Sequence, residues 1–96
     1  MIVRPEAEAD LRDACAWYEQ QRSGLGSEFI LCVEEALERI DRNPEMYAPV
    51  YEGLRRSMTR RFPYAVYYRI REGEVVVVGI FHMRRDPQKW QSRGKH

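Results

Sequence analysis

The sequence predicts an α+β fold in which an N-terminal two-helix hairpin packs on a small antiparallel sheet, with the elements in the order β-α-α-β-β-β. Three observations carry this prediction: two stretches with apolar residues at helical spacing, a glycine-rich turn between them, and two β-branched stretches joined by Glu72-Gly73. The chain has 96 residues, 44% of them hydrophobic, which suffices for one modest core. We therefore expect residues 1–96 to form a single domain.

The helical hairpin is predicted from periodicity and from the residues at its ends. Met1 to Arg4 is a candidate short strand, and Pro5 suits the first position of a helix because its missing N–H loses no hydrogen bond there. The first helix is expected to end at Gly24-Leu25-Gly26, Ser27 to cap the second, and Asn43-Pro44 to stop it. The two apolar stripes are Ala7, Leu11, Ala14, Cys15 and Tyr18, and Phe29, Cys32, Val33, Ala36, Leu37 and Ile40.

The second half of the chain is predicted to supply the sheet. Residues 45–53 read as a loop and Leu54 to Arg60 as a strand, while Tyr64 to Arg71 and Glu74 to Met83 are the clearest strands. Glu72-Gly73 between the last two is a two-residue hairpin turn whose second position favours glycine.

That turn predicts a register and two sheet faces. If Arg71 pairs with Glu74, strict alternation places Tyr67 beside Val78 and Ala65 beside Ile80. The more apolar face is expected to receive the helices; its residues are Val66, Tyr68, Ile70, Val75, Val77 and Phe81. The other face is expected to present Tyr67, Arg69, His82 and Arg84 to solvent or to a partner.

The net charge of +1 conceals an asymmetry between the two halves. Residues 1–53 carry 12 acidic and five basic side chains, a net charge of −7, whereas residues 54–96 carry 11 basic and three acidic ones, a net charge of +8. The basic half indicates a surface for an acidic partner, either nucleic acid or an acidic polypeptide segment. The same division also permits the two halves to neutralise each other across the fold.

Several classes of protein are not favoured by the residue pattern. Cys15 and Cys32 lack CxxC or histidine spacing, so we expect neither a disulfide framework nor a zinc site. The longest uncharged apolar run, VVVVGIF, is too short to span a bilayer, and the N-terminal residues lack the apolar stretch of a signal peptide. We therefore expect a cytosolic protein. We also expect no cofactor, because no phosphate-cradling glycine loop or nucleophile-histidine-acid arrangement is present.

The order and spacing of several short motifs resemble one family across nearly the whole chain. These motifs are Ala7 to Leu11, Trp17-Tyr18, Gly24-Leu25-Gly26 with Phe29, Asn43-Pro44, Leu54-Arg55-Arg56, Arg61 to Tyr64, Val66-Tyr67-Tyr68, and His82 to Pro87 with Trp90 and Arg93. Together they resemble the RelE/ParE superfamily of bacterial type II toxins, and the ParE, or plasmid-stabilisation, branch most.

The resemblance implies a compact βααβββ fold, a growth-arresting activity in the bacterial cytoplasm, and a small antitoxin that wraps the toxin. The toxin-binding segment of such an antitoxin is typically flexible and often acidic and folds on binding, which suits the basic half of this chain. Toxin and antitoxin are expected to form a hetero-oligomer. In such complexes the antitoxin, rather than the toxin, contacts DNA.

One branch of the superfamily consists of ribosome-dependent mRNA endonucleases. That reaction needs a group that takes a proton, a group that gives one, and cations around the phosphorane-like charge. His82 is the candidate acid or base because imidazole titrates near neutrality, with Arg56, Arg60, Arg69 and Arg84 as candidate charge stabilisers. A structural role for His82, hydrogen-bonded or packed on a ring, is the alternative. Residues 53–71 include no acidic side chain, so a carboxylate base on those strands is missing.

The ParE branch acts on DNA gyrase by binding, without chemistry of its own. The C-terminal motif Arg84-Arg85-Asp86-Pro87 with Trp90 resembles ParE sequences and favours this branch. We therefore expect a gyrase inhibitor rather than an enzyme. The residues predicted to contact the target or the antitoxin are Arg60, Arg61, Tyr67, Arg69, His82, Arg84, Arg85 and Trp90, because arginine and aromatic side chains dominate protein interfaces. In the structural alternative, Asp86 pairs with a neighbouring arginine and Trp90 covers an exposed end of the core.

Two further classes remain open from the sequence. Basic strands with aromatic side chains can stack bases, as in RNA-binding domains, although the glycine-aromatic signatures of the common RNA-binding modules are absent. An inactive toxin homologue that only binds antitoxin is the other.

Overall fold

The computed structural model describes residues 1–84 and 87–94, and it confirms the α+β class. The elements are β1 (Ile2–Val3), α1 (Pro5–Gln21), α2 (Leu25–Arg42), β2 (Pro49–Tyr51), β3 (Leu54–Met58), β4 (Tyr64–Arg71), β5 (Glu74–His82) and α3 (Pro87–Gly94). The strands of these described residues form one five-stranded sheet in the order β1-β5-β4-β3-β2, in which only the β1–β5 pair is parallel. Strand β2 lies where the sequence predicted a loop, and α3 was not predicted. No helix of the described residues is long and apolar enough to cross a membrane.

The helical hairpin is closed by a side chain that the sequence analysis did not single out. Gly24, with φ at 89°, is the N-cap of α2, so the prediction that Ser27 caps this helix is wrong. The Glu19 carboxylate accepts hydrogen bonds from the backbone N–H groups of Gly24 and Gly26, each at 2.9 Å. A Cβ at Gly26 would lie 2.9 Å from the carbonyl oxygen of Cys15, so only glycine permits this close approach of the helices.

The Glu19 cap predicts a pH-dependent contribution to stability. Hydrogen bonds from Gly24 and Gly26 hold the pKa of Glu19 below its ordinary value of 4.5, and such a carboxyl stabilises the fold above its unfolded pKa but not below its folded one. We expect Glu19→Gln to be less stable than the wild type near neutral pH, and the difference to shrink as the pH falls below 4.5. Urea midpoints of both proteins at a series of pH values measure this, because their difference cancels the other carboxyls. A difference that stays constant with pH would contradict the prediction.

A β-bulge between β4 and β5 changes the predicted faces of the sheet. Arg71 pairs with Glu74 and Arg69 with Val76, as predicted, but Tyr67 pairs with Gly79 and Tyr68 with Val77, which leaves Val78 as the extra residue. An extra residue shifts the alternation by one. Ile80 therefore packs among the helices, whereas Phe81 lies on the opposite face, the reverse of the prediction.

Both faces of the sheet carry a hydrophobic core. The core under α1 and α2 contains the predicted strand residues Val66, Tyr68, Val75 and Val77 together with Phe29, Val33, Ala36 and Ile40 from α2, and Ile70 packs against it. The second, smaller core consists of Leu54, Ala65, Tyr67, Val78 and Trp90. The face that the sequence left open to solvent is thus partly covered by α3, because Trp90 brings this helix back over the sheet.

Candidate functional site

His82 lies on the helix-packed face of the sheet, which corrects its predicted position beside Tyr67. It pairs with Tyr64 across β4 and β5, and the two rings make an edge contact with centroids 5.3 Å apart. The Nδ1 atom of His82 accepts a hydrogen bond from the backbone N–H of Arg84 at 3.0 Å. Because one ring nitrogen accepts a backbone hydrogen bond in the turn after β5 and the ring packs on Tyr64, this geometry matches the structural alternative for His82.

Two of the residues proposed for phosphodiester chemistry, Arg56 and His82, lie on opposite faces of the sheet. Arg56 pairs with Tyr67 across β3 and β4, so it lies on the face of the second core. His82 pairs with Tyr64, which belongs to the core under the helices. Cross-strand partners share a face of the sheet, so the sheet separates the candidate acid or base from this candidate charge stabiliser. Arg84 is exposed beyond the end of β5.

Tyr67 and Trp90 form the centre of the second core rather than an exposed contact surface. Tyr67 is 0% exposed and Trp90 is 8% exposed, and their rings are stacked with centroids 5.1 Å apart. The prediction that Tyr67 faces solvent is therefore wrong, because α3 covers it. Within the described part of the chain, the Tyr67 hydroxyl has no hydrogen-bond partner.

Arg69 is held by the backbone of the turn between β2 and β3. One guanidinium nitrogen donates a hydrogen bond to the carbonyl oxygen of Glu52 at 2.5 Å. Residue Gly94 of α3 approaches the same guanidinium, since a Cβ there would lie 3.5 Å from Nη2. Arg69 is thus partly buried and lies next to the end of α3. It was predicted to lie on an open basic surface.

Arg60 and Arg61 are exposed together in the turn that joins β3 and β4. The Arg61 guanidinium lies 3.6 Å from the Glu28 carboxylate on α2 and 5.9 Å from the centroid of the Phe62 ring. These two arginines therefore flank the α2 side of the molecule. Arg85, another predicted contact residue, and its candidate partner Asp86 lie outside the described residues.

A partly buried ion pair joins three elements that are distant in sequence. The Arg93 guanidinium on α3 lies 2.5 Å from the Asp10 carboxylate on α1, and their side chains are only 27% and 17% exposed. The same carboxylate accepts a hydrogen bond from the backbone N–H of Ile80 on β5 at 3.0 Å. Arg93 also reaches the Val78 carbonyl oxygen at the bulge and lies over the Phe81 ring.

Burial raises the pKa of Asp10 above its ordinary value of 3.8, although the Ile80 N–H and the Arg93 guanidinium act in the opposite direction. Because the folded pKa lies above the unfolded one, this group lowers the free energy of unfolding as the pH rises from 3.8 through the folded pKa. Asp10 and Arg93 both belong to motifs that carry the family resemblance, and that was the signal available in the sequence. Only the fold shows that they meet.

A cleft of about 410 Å³ lies beside this ion pair, between α1, the end of β5 and α3. Its walls include the half-exposed Trp17 indole, His82 and Lys89. A second groove, of about 680 Å³, runs between α2 and the β3–β4 turn. In the described ranges no group of three or more histidine, cysteine, aspartate or glutamate side chains is placed to hold a metal ion.

The fold of this chain is shared with a solved structure. A solved structure described as the chromosomal ParDE TA system from P. aeruginosa superposes on 88% of this chain and 97% of that chain, with a TM-score of 0.65 and 16% sequence identity. At this identity the likeness establishes a shared fold. No curated protein matches in sequence.

The sequence comparison with protein families is more specific. The family described as "ParE toxin of type II toxin-antitoxin system, parDE" matches residues 1–87. The chain therefore belongs to the ParE toxin family, as the resemblance implied.

Proposed function

We propose that this protein arrests bacterial growth by binding DNA gyrase in the cytoplasm, and that an antitoxin neutralises it by direct binding. The observation that carries the proposal is the family match over residues 1–87. In this proposal the toxin acts by occupying a surface of its target and does no chemistry of its own.

The separation of Arg56 from His82 supports a binding role over an endonuclease that would use both residues. General acid–base catalysis requires the proton-transferring group and the charge stabilisers to converge on one phosphate. Arg56 and His82 instead pair with residues of opposite sheet faces, and Nδ1 of His82 is engaged by the backbone. This arrangement supports a role in target binding over a nuclease site built from Arg56 and His82.

The exposed arginines provide the contact chemistry that the proposal needs. Arg60, Arg61 and Arg84 are exposed and lie at turns that follow β3 and β5. Guanidinium groups in such positions can form directed hydrogen bonds with carboxylates and backbone carbonyls of a protein target. We assign these three residues to target or antitoxin contact. We remove Tyr67 and Trp90 from direct contact because they are buried, and Arg69 because its guanidinium is hydrogen-bonded to the Glu52 carbonyl oxygen.

Purified protein tested against gyrase and against ribosomes decides between the two activities. We expect inhibition of supercoiling with accumulation of cleaved DNA, and no cleavage of ribosome-bound mRNA. His82→Ala is expected to change the gyrase effect by less than about twofold, whereas loss of a general acid or base would cost about 10²–10⁴-fold in a nuclease. The proposal would be overturned if the protein cleaved mRNA on ribosomes and left the supercoiling activity of gyrase unchanged.

A further inference from the structure

The His82 side chain closes the start of the turn that follows β5. Its Nδ1 atom accepts a hydrogen bond from the backbone N–H of Arg84, two residues further on, at 3.0 Å. This contact has the pattern of an Asx-turn, in which the side-chain oxygen of asparagine or aspartate accepts the N–H of the residue two positions later. The imidazole therefore helps to set the path of the backbone at the place where the exposed Arg84 leaves the sheet.

The direction of this hydrogen bond determines the protonation state of the imidazole. A backbone amide can only donate, so Nδ1 must carry a lone pair, and the neutral ring holds its proton on Nε2. An imidazolium carries a proton on both ring nitrogens and has no acceptor left. Imidazole changes its charge between about pH 5 and 8. The hydrogen bond is thus present above the titration of the ring and is lost as the pH falls through it.

The neighbouring contacts do not depend on the protonation of this ring. The backbone N–H of Met83 donates a hydrogen bond to the carbonyl oxygen of Pro63 at 2.8 Å, and a carbonyl oxygen does not titrate in this range. The edge contact between the His82 and Tyr64 rings requires an aromatic ring but no lone pair on it. Protonation therefore releases the Arg84 amide while the end of β5 stays in place.

Charged side chains of both signs surround the imidazole. Those that line the same cleft as His82 are Asp10 and Asp13 from α1 and Lys89 and Arg93 from α3. The carboxylates favour the imidazolium and the two cations oppose it, so these groups adjust the pH at which the ring titrates. They do not replace Nδ1 as the acceptor for the Arg84 N–H.

We propose that His82 is a proton-sensitive switch of the turn after β5, which holds Arg84 in one orientation when the ring is neutral and gives it more freedom when the ring is protonated. The switch acts locally, because the Met83 bond to Pro63 remains in both states. It does not depend on a gyrase target, since it is a property of the backbone of the free protein.

The test measures solvent exchange of backbone amides by nuclear magnetic resonance between about pH 5 and 8, with each rate divided by that of an unstructured peptide at the same pH. In the wild type, the Arg84 amide is expected to exchange about two- to tenfold more slowly at the upper end of this range, as one hydrogen bond implies. This protection is expected to disappear toward the lower end. The Met83 amide is the internal control and is expected to stay protected throughout, provided that the fold is intact.

Two variants separate the acceptor from the ring. His82→Asn keeps a side-chain acceptor that does not titrate, so protection of the Arg84 amide is expected at every pH, and any remaining pH dependence reports on the other charged groups. His82→Phe keeps a ring beside Tyr64 without an acceptor, and we expect no protection of Arg84 at any pH. Protection in His82→Phe equal to that of the wild type would show that ring packing orders the turn and would overturn the proposal.

The tautomer of the imidazole gives a second, independent test. Long-range proton–nitrogen correlation spectra of the wild type at the upper end of the pH range are expected to place the single ring proton on Nε2. A proton on Nδ1 under these conditions, or protection of the Arg84 amide in the wild type that does not change with pH, would overturn the switch and leave the gyrase proposal intact.

Discussion

Replacement of Asp10 by alanine is expected to lower the free energy of unfolding by about 3 kcal/mol. The substitution leaves the Arg93 guanidinium partly buried without its carboxylate and deprives the Ile80 N–H of its acceptor. Burying the carboxylate has a cost of its own, as its raised pKa indicates. Removing only one partner nevertheless destabilises the fold, because the remaining charge stays buried without compensation.

A local measurement distinguishes loss of the ion pair from general destabilisation of the fold. Hydrogen exchange of the Ile80 amide is expected to become faster in Asp10→Ala under native conditions, since this amide depends on the Asp10 side chain. Asp41→Ala, at an exposed position of α2, is the matched control and is expected to change stability by less than about 0.5 kcal/mol. Equal urea midpoints for the two variants would show that the Asp10–Arg93 pair does not hold α3 to the fold.

A double-mutant cycle isolates the pair itself. If Asp10 and Arg93 act as a unit, Asp10→Ala and Arg93→Ala together are expected to cost less than the sum of the single changes, with a coupling free energy of about 1–3 kcal/mol. Additive effects would mean that the two side chains contribute through separate contacts.

Trp90→Ala is expected to lower the free energy of unfolding by about 3–4 kcal/mol. The indole is 8% exposed and stacks on Tyr67, which is completely buried. Its removal opens a cavity in the second core and admits water to the face that α3 covers. Trp90→Phe is expected to recover much of this loss, because an aromatic ring still fills most of the space.

Trp17→Ala is the matched control for this prediction. Trp17 lies on α1, is 51% exposed and makes an edge contact with Tyr18, so its loss is expected to cost less than about 1 kcal/mol. Far-ultraviolet circular dichroism during urea unfolding compares the variants without relying on tryptophan fluorescence. If Trp90→Ala is as stable as Trp17→Ala, α3 contributes little to the stability of the fold, and Trp90 is again a candidate for contact with the target or the antitoxin.

The features that the sequence predicted correctly depend on neighbouring residues. Helical spacing of apolar side chains marked α1 and α2, and the Glu72-Gly73 turn together with the alternating β-branched residues marked β4 and β5. The register near that turn was also correct, because a two-residue turn determines the pairing of the residues beside it. Family membership followed from motif order along the chain.

The composition of the candidate site was predicted less well, for reasons that lie in the tertiary structure. One extra residue at Val78 moves every later side chain of β5 to the opposite face, and periodicity carries no sign of it. The polar helix α3 covers Tyr67 only because Trp90 and Arg93 find partners elsewhere in the fold.

The sequence by itself determined α1, α2 and four of the strands, since each of these elements depends on residues within one turn or one hairpin, but it missed β2 and α3. The order of motifs along the chain determined the family. Only the tertiary structure decided which cations remain at the surface. Asp10 and Arg93 are 83 positions apart, and their contact depends on how α1, the bulged strand and α3 pack together, which no local pattern encodes. The same packing buries Tyr67, holds Arg69 and leaves Arg60 and Arg61 facing the acidic helix.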